Sequence, residues 1–239
     1  MASSAGSPPG QRRGAGRDSE RTQAAILSAA TAEFAKHGFG GARVDRIAAR
    51  AKTNKRMLYY YFGPKDALFL AVLENTYASI RNAEKQLSML DVAPAEGIRR
   101  LIAFTWDYYV EHPEFLSLLN SENLHGAKHL RRSRHVLAMN SPLIDTLAIV
   151  LERGRKDGQF RDSVDPLQLY VSIAALSYFY LGNNQTLSAV FGRDLSSPRS
   201  HAARLSHTAD VILGYLRPGR AAHASAVGPP ARTVRKAPD

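Results

Sequence analysis

Apolar residues recur at helical spacing along most of the chain, and no run alternates in the manner of a half-buried strand. The pattern predicts an all-α fold. The first periodic stretch opens at Asp18 or Ser19, either of which can cap a helix, and puts Ile26, Leu27, Ala30 and Phe34 on one side. It stops at Gly38, a residue suited to the left-handed conformation just past a helix end. After "FGGAR" comes a short helix carrying Val44, Ile47, Ala48 and Ala51, then "KTN", then a third helix from about Lys55 to Tyr61 that ends at "GPK". One long and two short helices, the last two joined by a tight turn, make a helix-turn-helix unit of the homeodomain type.

From Lys65 the expected helices run over 65–90, 95–111, 113–124, 128–139, 141–157, 166–181, 184–191 and 199–216. Pro94, Pro113, Pro142, Pro166 and Pro198 fall at or near the starts, where a fixed φ and a missing N–H do no harm. The tract "PLQLYVSIAALSYFYLG" is apolar nearly all round, as in a helix buried in a core or between subunits. Residues 1–17 and 218–239 lack hydrophobic anchors and are expected to be disordered tails. The chain thus divides into a basic arm (1–17), a helix-turn-helix domain (18–64), a larger helical domain (65–217) and a basic tail (218–239).

Charge sharpens this division. The net charge is +11, but residues 1–65 hold 12 Lys/Arg against 4 Asp/Glu, residues 66–217 hold 16 of each, and residues 218–239 hold 4 against 1. A basic segment on a neutral body suits a phosphate-binding module attached to a second domain. With no cysteine there are no disulfides or thiolate metal sites. No apolar run approaches the roughly 20 residues of a membrane span, and the N-terminus has no signal-peptide stretch. A cytoplasmic protein without cofactor or metal is expected.

The stretch "NKRMLYYYF", Asn54 to Phe62, holds two cations and three consecutive tyrosines. Asn54 can cap this helix, which puts Leu58 and Phe62 on its inner face and Tyr61 at the edge of that face. Lys55, Arg56, Tyr59 and Tyr60 fall on the others. Lys and Arg suit guanine O6/N7 or phosphate oxygens, and a tyrosine offers a hydroxyl to phosphate and a ring edge to a thymine methyl. Taken alone, the helix could equally be a solvated one whose tyrosines cover a core. Arg12, Arg13 and Arg17 likewise admit two readings, a minor-groove or phosphate arm and an unread tail.

From Ile26 to Glu74 the chain resembles the DNA-binding domain of TetR-family transcriptional regulators. The shared pattern is apolar-x-x-A-x-x-x-F-x-x-x-G-[FY], then V-x-x-I-A, then L-Y-x-[HY]-F-x-x-K-x-x-L. The resemblance implies DNA contacts from Lys55, Arg56, Met57, Tyr59, Tyr60 and Tyr61, around the cap Asn54. It implies a backbone phosphate at Lys65, where the next helix begins. Arg43 stands where the family has a capping Ser or Thr; it loses the cap but can reach phosphate. Lys52 replaces a turn glycine and is a further DNA-facing candidate.

Past this point "HPEFLSLLNSENLHGAKHL" and "DPLQLYVSIAALSYFYLGNNQTLSAVFGRDL" are similar to the subgroup that includes pyrimidine-utilisation and nicotinate-degradation repressors. The resemblance implies a homodimer that binds a palindromic operator in double-stranded DNA and a small-molecule effector, heteroaromatic or carboxylate. Trp106, Tyr109, Asn120, Glu122, Asn123, His125, Tyr178 and Asn183 are the candidate effector contacts, because a site needs apolar walls and a few converging polar groups. Singly, each also fits a core or helix-end role. The basic run "KHLRRSRH", 128–135, reads either as a solvated helical face or as an extra anion contact. No H-E-x-x-H, G-x-S-x-G or phosphate-cradling glycine motif argues for an enzyme. The alternative is a helical metabolite-binding or enzymatic protein with an incidental basic face.

Overall fold

A computed structural model describes residues 9–218, and the side chains of these except 9–16, 140 and 141. The described residues form nine α-helices and no strand: α1 (Pro9–Gly41), α2 (Val44–Arg50), α3 (Lys55–Phe62), α4 (Lys65–Glu84), α5 (Pro94–Glu111), α6 (Pro113–Leu124), α7 (Arg134–Lys156), α8 (Pro166–Phe191) and α9 (Pro198–Leu216). Short 3-10 turns follow α4 at Lys85–Leu87 and precede α7 at Leu130–Arg132.

The apolar face of α1 does what its spacing dictates. Ile26, Ala30 and Phe34 are fully buried and pack with Ile47 of α2, Leu58 of α3, and Leu68, Phe69, Val72 and Leu73 of α4. Leu118 of α6 enters the same core, so the three-helix unit is seated directly on the rest of the chain. Gly38 breaks α1 at φ +63°, and the chain turns there so that the Phe39 N–H donates to Ser121 Oγ of α6 at 2.9 Å. A second core joins α5, α7, α8 and α9 around Leu101, Leu147, Val150, Ile173, Ile212 and Leu216. A third, with Ile80, Tyr108, Tyr109, Phe115 and Leu116, links α4, α5 and α6.

Four boundaries differ from the sequence expectation. First, α1 starts at Pro9 and not at Asp18 or Ser19. Pro9 supplies the preset φ of a first helical residue, and no proline lies between it and Asp18 to stop the helix. Of the segments expected to be disordered, residues 1–8 and 219–239 lie outside the described residues.

Second, α4 gives way to a 3-10 turn at Lys85 and does not reach residue 90; Ser88 is left-handed, with φ +46°. Third, the helices expected over 128–139 and 141–157 are one helix beginning at Arg134, where Ser133 caps by accepting the Val136 N–H at 3.1 Å. Pro142 therefore lies inside it. The buried positions Val136, Leu143, Leu147 and Val150 form one stripe across the proline, and that continuous packing outweighs the lost N–H.

Fourth, the helices expected over 166–181 and 184–191 are also one. Asn183 does not cap; its Nδ2 donates back to the Phe179 carbonyl at 2.8 Å, and the left-handed Gly192 ends α8 instead.

Candidate DNA interface and effector region

Helix α3 owes its start to Asn54, whose Oδ1 accepts the Met57 N–H at 2.9 Å. Leu58 is fully buried and Phe62 half-buried against the α1–α4 core, which fixes the rotation of the helix. The opposite side is thereby turned outward. Tyr60 is 77% exposed, Tyr59 is 49% exposed, and Arg56 lies exposed beside them. Tyr61 is half-buried at the margin, its ring edge-on to Tyr60 at 5.1 Å, and Met57 is half-buried. Lys55 reaches back to Asp45 of α2, and that pairing, together with Arg43, holds the Asp45 carboxyl below its usual range against a small burial effect.

The turn between α2 and α3 carries Lys52 at φ +52°, a left-handed conformation for a residue with a side chain, and its side chain is exposed. Arg43 precedes α2 without capping it. The missing cap is compensated from α1: Glu33, 7% exposed, accepts the Arg43 N–H at 3.0 Å and the Arg46 Nε–H at 2.6 Å. Burial pushes the Glu33 carboxyl up, but Arg46, the Arg43 amide and His37 outweigh it and leave it below its ordinary value. Glu33 was legible as the one acid on a stripe of Ile26, Ala30 and Phe34, a position seven residues beyond Ile26.

Lys65 opens α4, with Nζ 4.9 Å from the centre of the Phe39 ring. Burial lowers its ammonium, opposed by Asp66 and Glu33. Lys128 stands equally close to the same ring and reaches Asp66 at 3.3 Å. Burial alone would raise the Asp66 carboxyl; Lys128 and His129 hold it low. Behind them is a buried relay. Glu122 takes the His129 and Leu130 amide hydrogens through Oε1 at 2.8 and 2.9 Å, and its Oε2 lies 2.6 Å from His129 Nδ1. His129 Nε2 faces Asp66 at 3.4 Å. The imidazole thus joins α6 to the first turn of α4.

These contacts alter the reading of "KHLRRSRH". It is not a helical face: left-handed Gly126 and Ala127 interrupt the chain, Lys128 and His129 are committed to the junction, and Arg131, Arg132 and Arg134 are exposed.

The eight candidate effector contacts are not gathered in one cavity. Trp106 is buried between Tyr180 of α8 and His201 of α9, at 5.7 and 5.5 Å between ring centres. Tyr109 stacks on Phe115 at 5.5 Å, and burial raises its phenol. Tyr178 donates its hydroxyl to Asn120 Oδ1, tying α8 to α6. Glu122 is taken up by His129, and His125 Nδ1 lies 2.7 Å from the Ser121 carbonyl oxygen, within the helix turn. Asn123 is exposed and Asn183 bonds within α8. Only Tyr109 adjoins the buried polar cluster of the C-terminal helices, whose members Arg81, Glu84 and Tyr170 the sequence reading did not single out; a lone Arg-x-x-Glu on a helix normally means a solvated pair.

Two family models match the chain: "Bacterial regulatory proteins, tetR family" over residues 26–72 and "Tetracyclin repressor-like, C-terminal domain" over residues 94–212. The HTH-type transcriptional repressor NicS of Pseudomonas putida is 42% identical over 198 residues, which span 83% of this chain and 93% of NicS. The chain belongs to the TetR family. RutR, an HTH-type transcriptional regulator of Escherichia coli, is 29% identical over 81% of this chain and 90% of its own. Both alignments are too long to rest on the DNA-binding helices alone, in keeping with the narrower resemblance drawn from the C-terminal half.

Among solved structures, the ketosteroid transcriptional regulator KstR2 of Mycobacterium tuberculosis superposes with a TM-score of 0.60 at 18% identity, covering 83% of this chain and 95% of that one. The fatty acid degradation regulator FadR of Bacillus halodurans gives 0.57 at 16%, covering 82% and 100%. At these identities the likeness is one of fold. As a TetR-family member the chain is a DNA-binding transcriptional regulator, with an N-terminal helix-turn-helix and a helical C-terminal domain. Among the described residues no helix is long and apolar enough to cross a membrane.

Proposed function

We propose that this chain is a cytoplasmic repressor, not an enzyme, that binds a palindromic operator as a homodimer and leaves it when a small metabolite binds the C-terminal domain. The observation that carries the reading is the rotation of α3. Leu58 is fully buried while Tyr59 and Tyr60 stand exposed beside Arg56, so large aromatic side chains are held outward next to a cation. Exposed tyrosines on a helix whose inner face is already filled serve no packing purpose of their own chain.

In this reading Arg56 and Lys55 read base edges or phosphates, Tyr59, Tyr60 and Tyr61 with Met57 line the groove, and Arg43, Lys52 and Lys65 hold the backbone on either side of Asn54. The paired subunit is supported by α8 and α9, which leave Phe179, Val190, Phe191, Val211 and Tyr215 exposed along the C-terminal helices. Two copies joined there would present two recognition helices to successive major grooves. Effector binding would shift the population between dimer geometries with different spacings of those helices.

A gel-shift titration with duplex from upstream of the protein's own gene tests this. Saturable binding to a palindrome, abolished by Lys55→Ala with Tyr60→Ala in a protein that still melts normally, is the expected result. Equal, salt-sensitive binding to every duplex would refute sequence-specific regulation.

A further inference from the structure

At the end of α4 remote from the helix-turn-helix, a guanidinium is buried in the C-terminal domain. Arg81 is 5% exposed, and only part of its hydrogen-bonding capacity is used. Nη2 donates to Tyr170 Oη at 2.6 Å, and the guanidinium carbon lies 5.4 Å from the centre of the Tyr170 ring. Nη1 sits 2.7 Å from Glu84 Oε2, but without the alignment of a hydrogen bond, so Nε and Nη1 of Arg81 and Oε2 of Glu84 are all buried and unbonded. Burial pushes the Glu84 carboxyl up to about 7, against the pull of Arg81. Near neutral pH the pair is therefore incompletely ionised on its acidic side, and the guanidinium carries charge that the protein itself does not balance. A buried donor without an acceptor normally costs about 1–3 kcal/mol, more if charged, so such groups call for an explanation.

Arg81 and Glu84 form the inner end of a cleft of about 330 Å³ between α4, the turn that follows it and α7. Its walls include Met89, Met139, Leu143 and Thr146. The volume is at the small end of the range for metabolite sites, and the make-up is that of one: apolar walls and a few converging polar groups.

We infer that this cleft binds a small organic monocarboxylate, its carboxylate on the unused Nε and Nη1 donors of Arg81 and on the Tyr170 hydroxyl, its apolar body against Met89, Met139 and Leu143. A carboxylate answers the observed deficit directly: it brings acceptors and one negative charge to a buried cation with spare donors. A neutral or cationic ligand would leave the guanidinium uncompensated. The site is separate from the candidate contacts drawn from sequence, of which only Tyr109 stands in its surroundings. That the occupant acts as an effector rests on the proposed repressor function; that it binds does not.

The test uses the full-length protein, benzoate as probe and benzamide as its uncharged isostere, followed by calorimetry and thermal shift. Benzoate should bind saturably and raise the melting temperature, with benzamide at least tenfold weaker, the loss expected when a charge-assisted hydrogen bond is removed. Tyr170→Phe, which keeps the ring, should weaken benzoate several-fold. Arg81→Gln with Glu84→Gln, which removes both buried charges together and so protects the fold, should bring benzoate down to the level of benzamide.

Equal affinity for acid and amide, or no binding of either, overturns the assignment. So does benzoate binding unchanged in the double variant. Operator binding read in parallel separates the two claims. Carboxylate binding that leaves operator affinity untouched sinks the effector role and keeps the site. Operator release by a compound indifferent to Arg81 does the reverse.

Discussion

Asn54 caps α3 with one hydrogen bond to Met57, and everything the recognition helix presents depends on that starting point. Asn54→Ala should cost about 1 kcal/mol, and Asn54→Asp should recover most of it, as thermal melts would show. Asp45 makes a different kind of difference. It holds Lys55 on the surface that faces DNA in the proposed complex, so it both occupies a cation and repels phosphate. Asp45→Asn should therefore raise affinity for any duplex by roughly fivefold, an effect of about 1 kcal/mol that shrinks with added salt. Unchanged affinity in a low-salt titration would mean that Lys55 does not approach the DNA. Much at this scale was legible in sequence: the cap, the buried Leu58 and the outward Tyr59 and Tyr60 all follow from spacing alone. Glu33 serving Arg43 was not, because a contact ten residues apart depends on how α1 and α2 cross.

At the scale of elements, α7 shows how packing overrides punctuation. Pro142 invites a helix boundary, yet the apolar stripe from Val136 to Val150 runs through it. The stripe was visible in sequence; that it would outweigh the proline was not, since the energy lies in contacts with α5 and α8. Further along α7, a Cβ added to Gly154 would lie 2.0 Å from the ring of Phe160, which is 5% exposed. Gly154→Ala should destabilise by about 3 kcal/mol and lower Tm by roughly 10 °C in calorimetry. A normal melt would show that Phe160 can move aside at little cost.

Glu84 of α4 makes a pH-dependent prediction. Its folded carboxyl lies at about 7, above the unfolded value of 4.5, so folding takes up a proton between the two. Stability should be greatest at the acid side of that window and fall as pH rises through it. Arg81 and Tyr77 of α4, Tyr108 and Tyr109 of α5 and Tyr170 of α8 surround the site, and the tyrosines stay protonated in this range. Urea denaturation at pH 5 and pH 8 should show the decline, and Glu84→Gln should flatten it.

For the whole molecule, the proposed assembly predicts that Phe179→Glu, a change on the exposed side of α8, leaves the subunit folded and halves its mass in sedimentation. Operator affinity should fall with it, since one recognition helix would then bind alone. With about six phosphates neutralised, log affinity for the operator should fall with log salt at a slope of about −5. A slope near zero would remove the basic surface from the mechanism. Fold class and the division of charge were readable from sequence because they are sums over many residues. The C-terminal polar clusters were not, because Arg81, Tyr109 and Tyr170 lie on three helices and meet only in the folded core.

The seat of the helix-turn-helix is equally non-local. Phe39 lies between two ammonium groups, Lys65 from its own module and Lys128 from the far side, while Ser121 and the Glu122–His129 pair hold Gly38–Phe39 and Asp66 in register. Anyone exchanging DNA-binding heads between regulators of this kind would have to transplant this coupling face along with them. A cut after Lys65 would strand half of it, and the resulting hybrid would bind its operator without answering to its sensor.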